Sequence, residues 1–404
     1  MNTPPLIYAD NNATTAVAPE VAEAMQPFFG GAYFNPSSMY EPALQVAEAL
    51  KASRETVAEF LGGVPASEVV FTSCATESNN AAVFGVAAAN PARRHIVTSA
   101  VEHPAVLEVC REMQRRGYEV TMLGVDRQGR IAVADYVRAL RPDTLLVTLM
   151  HANNETGVVW PVGDWARIAK ETDPGIVFHT DATQTAGKMP LDLAGALKHV
   201  DLLSFSGHKM HAPKGVGALY VRRGTPLRPY LLGGHQEAGR RGGTENVAYI
   251  AGLARACELA QAHAPDMARI EKLRDGLQAE LVKTVPHVEV NGAEAERTPN
   301  TLNLSCHFIE GEAILYELIS YGICASTGSA CSSGSLEPSH VLKALGVPFT
   351  AMHGSIRLSF SAYTTEAEVK RIAEVFPKVV ADLRKMSPYW DQKNNRPREN
   401  IPGA

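Results

Sequence analysis

The chain has 404 residues, enough for two or three domains of ordinary size. Apolar residues make up 45% and charged residues 20%, the balance of a water-soluble globular protein. A formal net charge of −5 without a long basic run argues against nucleic acid or an anionic membrane as partner.

The opening "MNTPPLIYADNN" lacks a basic stretch followed by a long apolar one, and no apolar run reaches the ~20 residues of a membrane helix. The expectation is a cytoplasmic protein without a signal peptide or membrane span. Next, residues 43–61 place Val46, Leu50, Val57 and Leu61 on one helical face, and the helix is predicted to stop at Gly62–Gly63. Short apolar runs follow: "EVVFTS" (68–73), "HIVTS" (95–99), "LLVTLM" (145–150), "GIVFHT" (175–180), "DLLSFS" (201–206) and "GALYVRR" (217–223). Runs apolar at nearly every position suit strands covered on both faces, so residues 15–260 are predicted to form a doubly wound α/β domain on a mainly parallel sheet.

After 260 the pattern changes. A charged helix (265–285) precedes "VEVNG", "NTLNLSC", a Gly/Ser-rich stretch and "SIRLSFS", the signature of a smaller α+β domain. A last helix opens with the capping-box spacing Thr365…Glu368 and carries Val369, Ile372, Phe376 and Val379, with Pro377 expected to kink it. The polar, Pro-containing tail 391–404 is expected to be disordered.

Six cysteines occur, at 74, 110, 257, 306, 324 and 331, and no pair has CxxC spacing. That argues against a zinc knuckle or a thioredoxin-type redox pair and suits reduced thiols. Five read as packing residues. Cys331 differs, because "STGSACSSGS" surrounds it with Gly, Ser and Ala, the composition of a loop. Such a loop is either a surface connection or a tether that delivers a thiol.

Three stretches sit at ends of predicted strands, where open α/β sheets bind ligands. In "TSCATESNN", Ala75 and Thr76 open a helix whose free N–H groups make an anion site, although alone this is an ordinary cap. In "FHTDATQTAGK", Asp181 follows a buried strand and Gln184 lies three residues on; a buried carboxylate there needs a strong partner. In "SFSGHKMHAPKG", Lys209 follows another strand, with Ser206 and His208 just before it. Asp181 and Lys209 are 28 residues apart, about one strand–helix–strand unit, so neighbouring strands can aim both at one ligand. A lysine able to form an imine, with a carboxylate for a pyridinium nitrogen, is the pairing of pyridoxal phosphate sites.

These stretches, with "YADNNATT", "NPSS", "EHPAVL", "NNETG", "RRGGTEN" and "GSACSSGSLEPSH", resemble the group I cysteine desulfurases, in the expected order from about residue 6 to 390. "GGHQEAGRRGGTEN", "SGSLEPSH" and "SPYW" resemble the NifS type. The resemblance implies fold-type I of the class V pyridoxal phosphate enzymes: a mainly parallel seven-stranded sheet flanked by helices, and a smaller α+β domain formed by residues 1–14 and 261–390. It implies that Lys209 carries pyridoxal 5'-phosphate covalently and relays protons. Asp181 would hold the pyridine nitrogen, and His103 would stack on the ring and act as acid and base. Asn154 and Gln184 would bond its phenolic oxygen. Ala75, Thr76, Ser206 and His208 would hold the phosphate, with Thr244 supplied by the other subunit of a homodimer. Arg357, with Asn154, would bind the substrate carboxylate.

Cys331 would take sulfur from L-cysteine as a persulfide, aided by a base such as His103, and pass it to an iron–sulfur scaffold protein of the U type, here for nitrogenase. No permanent metal is implied, and Cys331 is a candidate transient cluster ligand shared with the scaffold. Three alternatives remain at this point: an aminotransferase, which would not need Cys331; a selenocysteine lyase, which would turn over cysteine poorly; and a silent scaffold, against which Lys209, Asp181 and Cys331 together argue. A housekeeping desulfurase is the alternative to nitrogenase service.

Overall fold

The computed structural model describes residues 6–327, 338–394 and 396–398. Short β1 (Ile7–Tyr8) and helices α1 (Pro19–Met25) and α2 (Glu41–Phe60) precede the main sheet. α2 buries Val46, Leu50 and Val57, and the chain leaves it through Gly62 and Gly63, whose φ of 95° and 74° only glycine adopts freely.

The sheet region follows in chain order: β2 (Val69–Thr72), α3 (Ala75–Ala89), β3 (His95–Ser99), α4 (Pro104–Arg115), β4 (Glu119–Leu123), α5 (Val133–Ala139), β5 (Thr144–Thr148), α6 (Val162–Thr172), β6 (Val177–Asp181), β7 (Leu202–Ser206) and β8 (Gly217–Val221). The strands lie in the order β2-β8-β7-β6-β5-β3-β4. All are parallel except β8, which runs against both neighbours. Six of the seven are the predicted apolar runs. β4 escaped prediction because it is an edge strand with Glu119 and Met122 exposed, so it lacks a continuous apolar signature. The predicted helix between β6 and β7 is absent. Residues 182–201 form successive turns, where Gly187 (φ 74°) and Pro190 break helical continuity.

Helices α7 (Val247–Ala262) and α8 (Asp266–Thr284) lead to β9 (Val288–Val290), β10 (Thr301–Cys306), α9 (Gly311–Ser320), β11 (Ile323–Cys324), α10 (His340–Ala344), α11 (Phe349–Met352), β12 (Ser355–Ser359) and α12 (Glu366–Met386). β12, β10 and β9 form an antiparallel sheet in that order, and β11 pairs in parallel with β1. Ile7 and Ala9 accordingly share a hydrophobic cluster with α8, β10 and α12. Val341 to Ala351 instead pack on the cluster beneath the large sheet.

The capping box is present: Thr365 Oγ1 accepts from the Glu368 amide, and Glu368 Oε2 accepts from the Thr365 amide. α12 runs through Pro377 without ending there, with Val375, Phe376, Val379 and Val380 buried on either side. Part of the tail also departs from expectation. β13 (Trp390–Asp391) pairs antiparallel with β14 (Arg396–Pro397), and Trp390 is buried against Phe308 and His287.

Gly217 of β8 lies opposite Ser206, and a Cβ there would stand 2.7 Å from the Phe205 carbonyl and 3.0 Å from Cys74 Cα. Both neighbours are backbone and cannot yield. Gly217→Ala is therefore expected to cost about 1–3 kcal/mol, the usual cost of overpacking, read as a lower urea midpoint at unchanged slope. A wild-type midpoint would show that β8 can move away from α3.

Candidate active site

Two neighbouring parallel strands end at the same place with different chemistry. Asp181 closes β6; its Oδ2 accepts from Asn79 Nδ2 (2.7 Å) and its Oδ1 from the Thr183 amide (2.9 Å). β7 closes at Ser206, and a tight turn over Gly207–Lys209 carries Lys209 round. Lys209 Nζ donates to the carbonyls of Asn12 (2.5 Å) and Ala13 (2.8 Å). Both side chains line one cavity of about 370 Å³.

The N-terminus of α3 forms one end of that cavity, with Cys74 as N-cap and Ala75 and Thr76 in the first turn. Its first amide groups have no partners within the helix. Beside them Ser206 Oγ and Thr183 Oγ1 are buried without a hydrogen-bond partner among the described residues. Donors left open at a helix N-terminus suit an oxygen-rich anion. His208 lines the same cavity, its Nδ1 3.1 Å from Thr14 Oγ1. Burial, then the charges of Lys209, Lys214 and Lys188, pushes its imidazole down to about 4, so it is neutral.

His103 is the N-cap of α4. Its Nδ1 accepts from the Ala105 amide (3.1 Å), which leaves Nε2 to carry the proton of the neutral ring. Burial holds its pKa below the usual histidine value, opposed by Asp181. Gln184 Nε2 donates to the Asn12 carbonyl (3.1 Å). Arg357 of β12 is almost wholly buried: Nη1 donates to the Asn154 carbonyl (2.9 Å), Nη2 pairs with Asp10 (2.7 Å), and Nε has no partner among the described residues.

Ten sequence-predicted residues thus meet on one cavity: Ala75, Thr76, His103, Asn154, Asp181, Gln184, Ser206, His208, Lys209 and Arg357. Thr244 does not line it; it is exposed on the segment before α7. Cys331 lies outside the described residues. The residues flanking its segment are well placed, however: Ser326 pairs with Arg357, Ser339 Oγ donates to Glu155 (2.6 Å), and His340 Nε2 lies 2.9 Å from the Glu102 carbonyl. Cys110, Cys257 and Cys306 are buried as expected, burial pushing the Cys110 and Cys306 thiols up to about 12. Cys74 departs from that expectation, since it lines the cavity.

Other participants went unpredicted. Asn79 and Asn12 lie in quoted stretches, but an asparagine carries no signal until its partners are known. Lys188 Nζ donates to Gln184 Oε1 (3.0 Å), and burial, then Lys209 and Arg357, pushes its pKa down to about 7. Glu102, beside His103, is buried and accepts from Ser99 Oγ and the Met150 amide.

The aminotransferase class-V family model matches residues 7–372. The chain belongs to that family of pyridoxal-phosphate-dependent enzymes. It is 52% identical over 384 residues to cysteine desulfurase 2 of Trichormus variabilis, covering 95% of each chain. To the cysteine desulfurase NifS of Azotobacter vinelandii it is 50% identical over 385 residues, again covering 95% of each. A solved NifS-like protein superposes with a TM-score of 0.87 at 38% identity, over 94% of this chain and all of the other. Within the class-V family it is a member of the cysteine desulfurases. The cavity fits the cofactor: open hydroxyl and amide donors at one end, a hydrogen-bonded carboxylate, and a lysine held on carbonyls beside it.

Burial drives the Glu102 carboxyl from its ordinary 4.5 up to about 8. Below pH 4.5 both folded and unfolded states hold that proton. Between 4.5 and 8 only the folded state does, so stability falls as pH rises and the loss is complete above about 8. Glu102→Gln removes this dependence. Urea midpoints at pH 5, 6.5 and 8 should shift increasingly in the variant's favour; parallel curves would show that Glu102 is ionised in the fold.

Proposed function

We propose that the chain desulfurates L-cysteine, transferring sulfur to Cys331 and releasing L-alanine. The carrying observation is that Lys209 and Asp181 face one cavity from the ends of adjacent parallel strands. When bound, pyridoxal phosphate supplies an electron sink that lowers the cost of removing the substrate's α-proton and of breaking its Cβ–S bond.

The residues divide the remaining work. Asp181, held by Asn79 and Thr183, binds the ring nitrogen. Ser206, His208, Ala75 and Thr76 hold the phosphate at the α3 N-terminus, and Asn154 and Gln184 hold the ring oxygen. Lys209 carries the cofactor and moves protons at the substrate Cα. His103 covers the ring with Nε2–H as its exchangeable proton. The Arg357 fork, with Asn154, takes the substrate carboxylate, a bidentate task that lysine performs poorly.

The Cys331 thiolate attacks the substrate sulfur. The Cβ–S bond breaks, its electron pair stays on carbon and is protonated, and the products are alanine and a Cys331 persulfide. Ser326 is bridged to Arg357, which lines the cavity, and five residues of chain reach at most about 18 Å, a span that lets Cys331 reach the cavity. The same tether serves an external acceptor, an iron–sulfur scaffold protein, and Cys331 can there act as a transient cluster ligand. We assign the sulfur to nitrogenase maturation, on the kinship to NifS. The enzyme works in the cytoplasm as a homodimer whose sites share Thr244; no helix among the described residues is long and apolar enough to cross a membrane. The cluster shared by Ile7, Ala9, α8, β10 and α12 supports a second lobe of residues 1–14 and 261–390 beside one at 15–260, although Val341 to Ala351 of that second stretch pack on the large-sheet cluster.

Alanine and sulfide formed from L-cysteine test the activity. Cys331→Ala is expected to stay folded, bind cofactor and cysteine, and lose alanine formation by several orders of magnitude, with wild-type persulfide found on Cys331 by mass spectrometry. Near-normal alanine from the variant would remove Cys331 as sulfur acceptor. Arg357→Lys should raise KM for cysteine by about tenfold, the worth of one charge-assisted hydrogen bond, with cofactor absorbance unchanged. An unchanged KM would place the carboxylate elsewhere.

A further inference from the structure

The segment before Thr244 holds an unusual backbone. Glu237 (φ 50°, ψ 36°), Ala238 (φ 54°, ψ 36°) and Gly239 (φ 76°) are left-handed in succession. Two non-glycine residues in that region are costly and persist only where the surroundings over-determine them. Here the determinant is the Glu237 side chain, 2% exposed, forked onto Arg54 of α2: Oε2 to Nη1 2.6 Å, Oε1 to Nη2 2.7 Å. Its Oε2 also accepts from the Phe71 amide of β2 (2.9 Å), and the Arg54 guanidinium lies 4.6 Å over the Phe71 ring.

Further anchors follow. Arg240 Nη2 donates to the Ser67 carbonyl (2.7 Å), and Arg241 Nε donates to Glu77 Oε1 (2.9 Å) at the first turn of α3. The Gly242 amide donates to the Leu231 carbonyl. A segment tied this firmly to β2 and α3 nevertheless leaves Thr244 exposed and off the lining of its own cavity. Tyr230, Leu231 and Leu232, just before the segment, are exposed at 46%, 42% and 81%. An exposed apolar run beside an exposed threonine suits coverage by a second copy of this chain.

We propose that the Glu237–Arg54 ion pair is a positioning device acting in trans: it fixes the left-handed turn in one subunit so that Thr244 meets the cofactor phosphate in the other. This rests on the shared-site dimer proposed above. Neither residue touches the cofactor; each acts through the segment.

Differently tagged subunits allow defined heterodimers to be purified and loaded with pyridoxal phosphate. A Glu237→Gln subunit paired with a Lys209→Ala subunit has one functional lysine, and its segment comes from the unaltered Glu237. That heterodimer should match wild type per site. A wild-type subunit paired with a Glu237→Gln/Lys209→Ala subunit receives the altered segment, and its Kd for the cofactor should rise about tenfold, as loss of a hydrogen bond to a charged group gives. The opposite pattern, or equal loss in both pairings, overturns the proposal. Thr244→Ala in the same pairings tests the dimer separately: loss in cis would refute the shared site whatever Glu237 does. Ala238→Gly, which makes the left-handed turn cheap, should restore part of the affinity lost with Glu237→Gln; no restoration overturns the positioning role. If Glu237→Gln fails to fold, Arg54→Lys, which keeps the charge and loses the fork, takes its place with the same expected pattern.

Discussion

The Asn12 carbonyl holds the site together. It accepts from Lys209 Nζ and from Gln184 Nε2, while the Asn12 side chain bonds Asn300, Thr301, the Asn154 carbonyl and Lys188. An ammonium beside buried strands is expensive unless oxygen atoms face it. The segment after β1 supplies them, and that segment is itself bonded to β10 and β12 through Thr301 and Ser359. The lysine at the end of β7 is therefore oriented by residues almost two hundred positions earlier, and those by the small antiparallel sheet. Any movement between the two sheets is felt at Lys209.

Electrostatics around the cavity follow from that enclosure. Burial keeps His103 and His208 neutral and drives Glu102 toward its neutral form, so the charges facing the ligand reduce to Asp181, Lys209 and Arg357, with Lys188 behind Gln184. A low-dielectric site with few, well-placed charges lets each act strongly on a bound zwitterion and its phosphate-bearing cofactor. Lys188, beside Lys209 and depressed to about 7, adds a cation that weakens near neutral pH.

In the proposed reaction the opposite requirement falls on Cys331: one thiol has to serve the cavity and an external acceptor. The fold meets this by placing both flanks of its segment at the site. Ser326 is fixed to Arg357, and Ser339 caps α10 while bonding Glu155, next to Asn154. Fixed flanks keep the effective concentration of a tethered group high.

Much of this was legible in the sequence. Six strands of the large sheet announced themselves because strands covered on both faces are apolar throughout, and α12 announced its start through Thr365 and Glu368. Asp181 and Lys209 were legible as a pair because a carboxylate and a lysine at strand ends one crossover apart have few other uses. The sequence did not reveal β4, whose edge position leaves it half polar, nor Trp390, whose partner Phe308 lies far along the chain. It could not distinguish Cys74, on the lining of the cavity, from cysteines buried in the core, because local composition does not say which helix end faces the cavity. Local periodicity and residue chemistry determined the elements and the reacting groups. Only the tertiary structure decided which of them meet, since the contacts that orient Lys209, Arg357 and Glu237 run between segments whose proximity depends on how the layers pack.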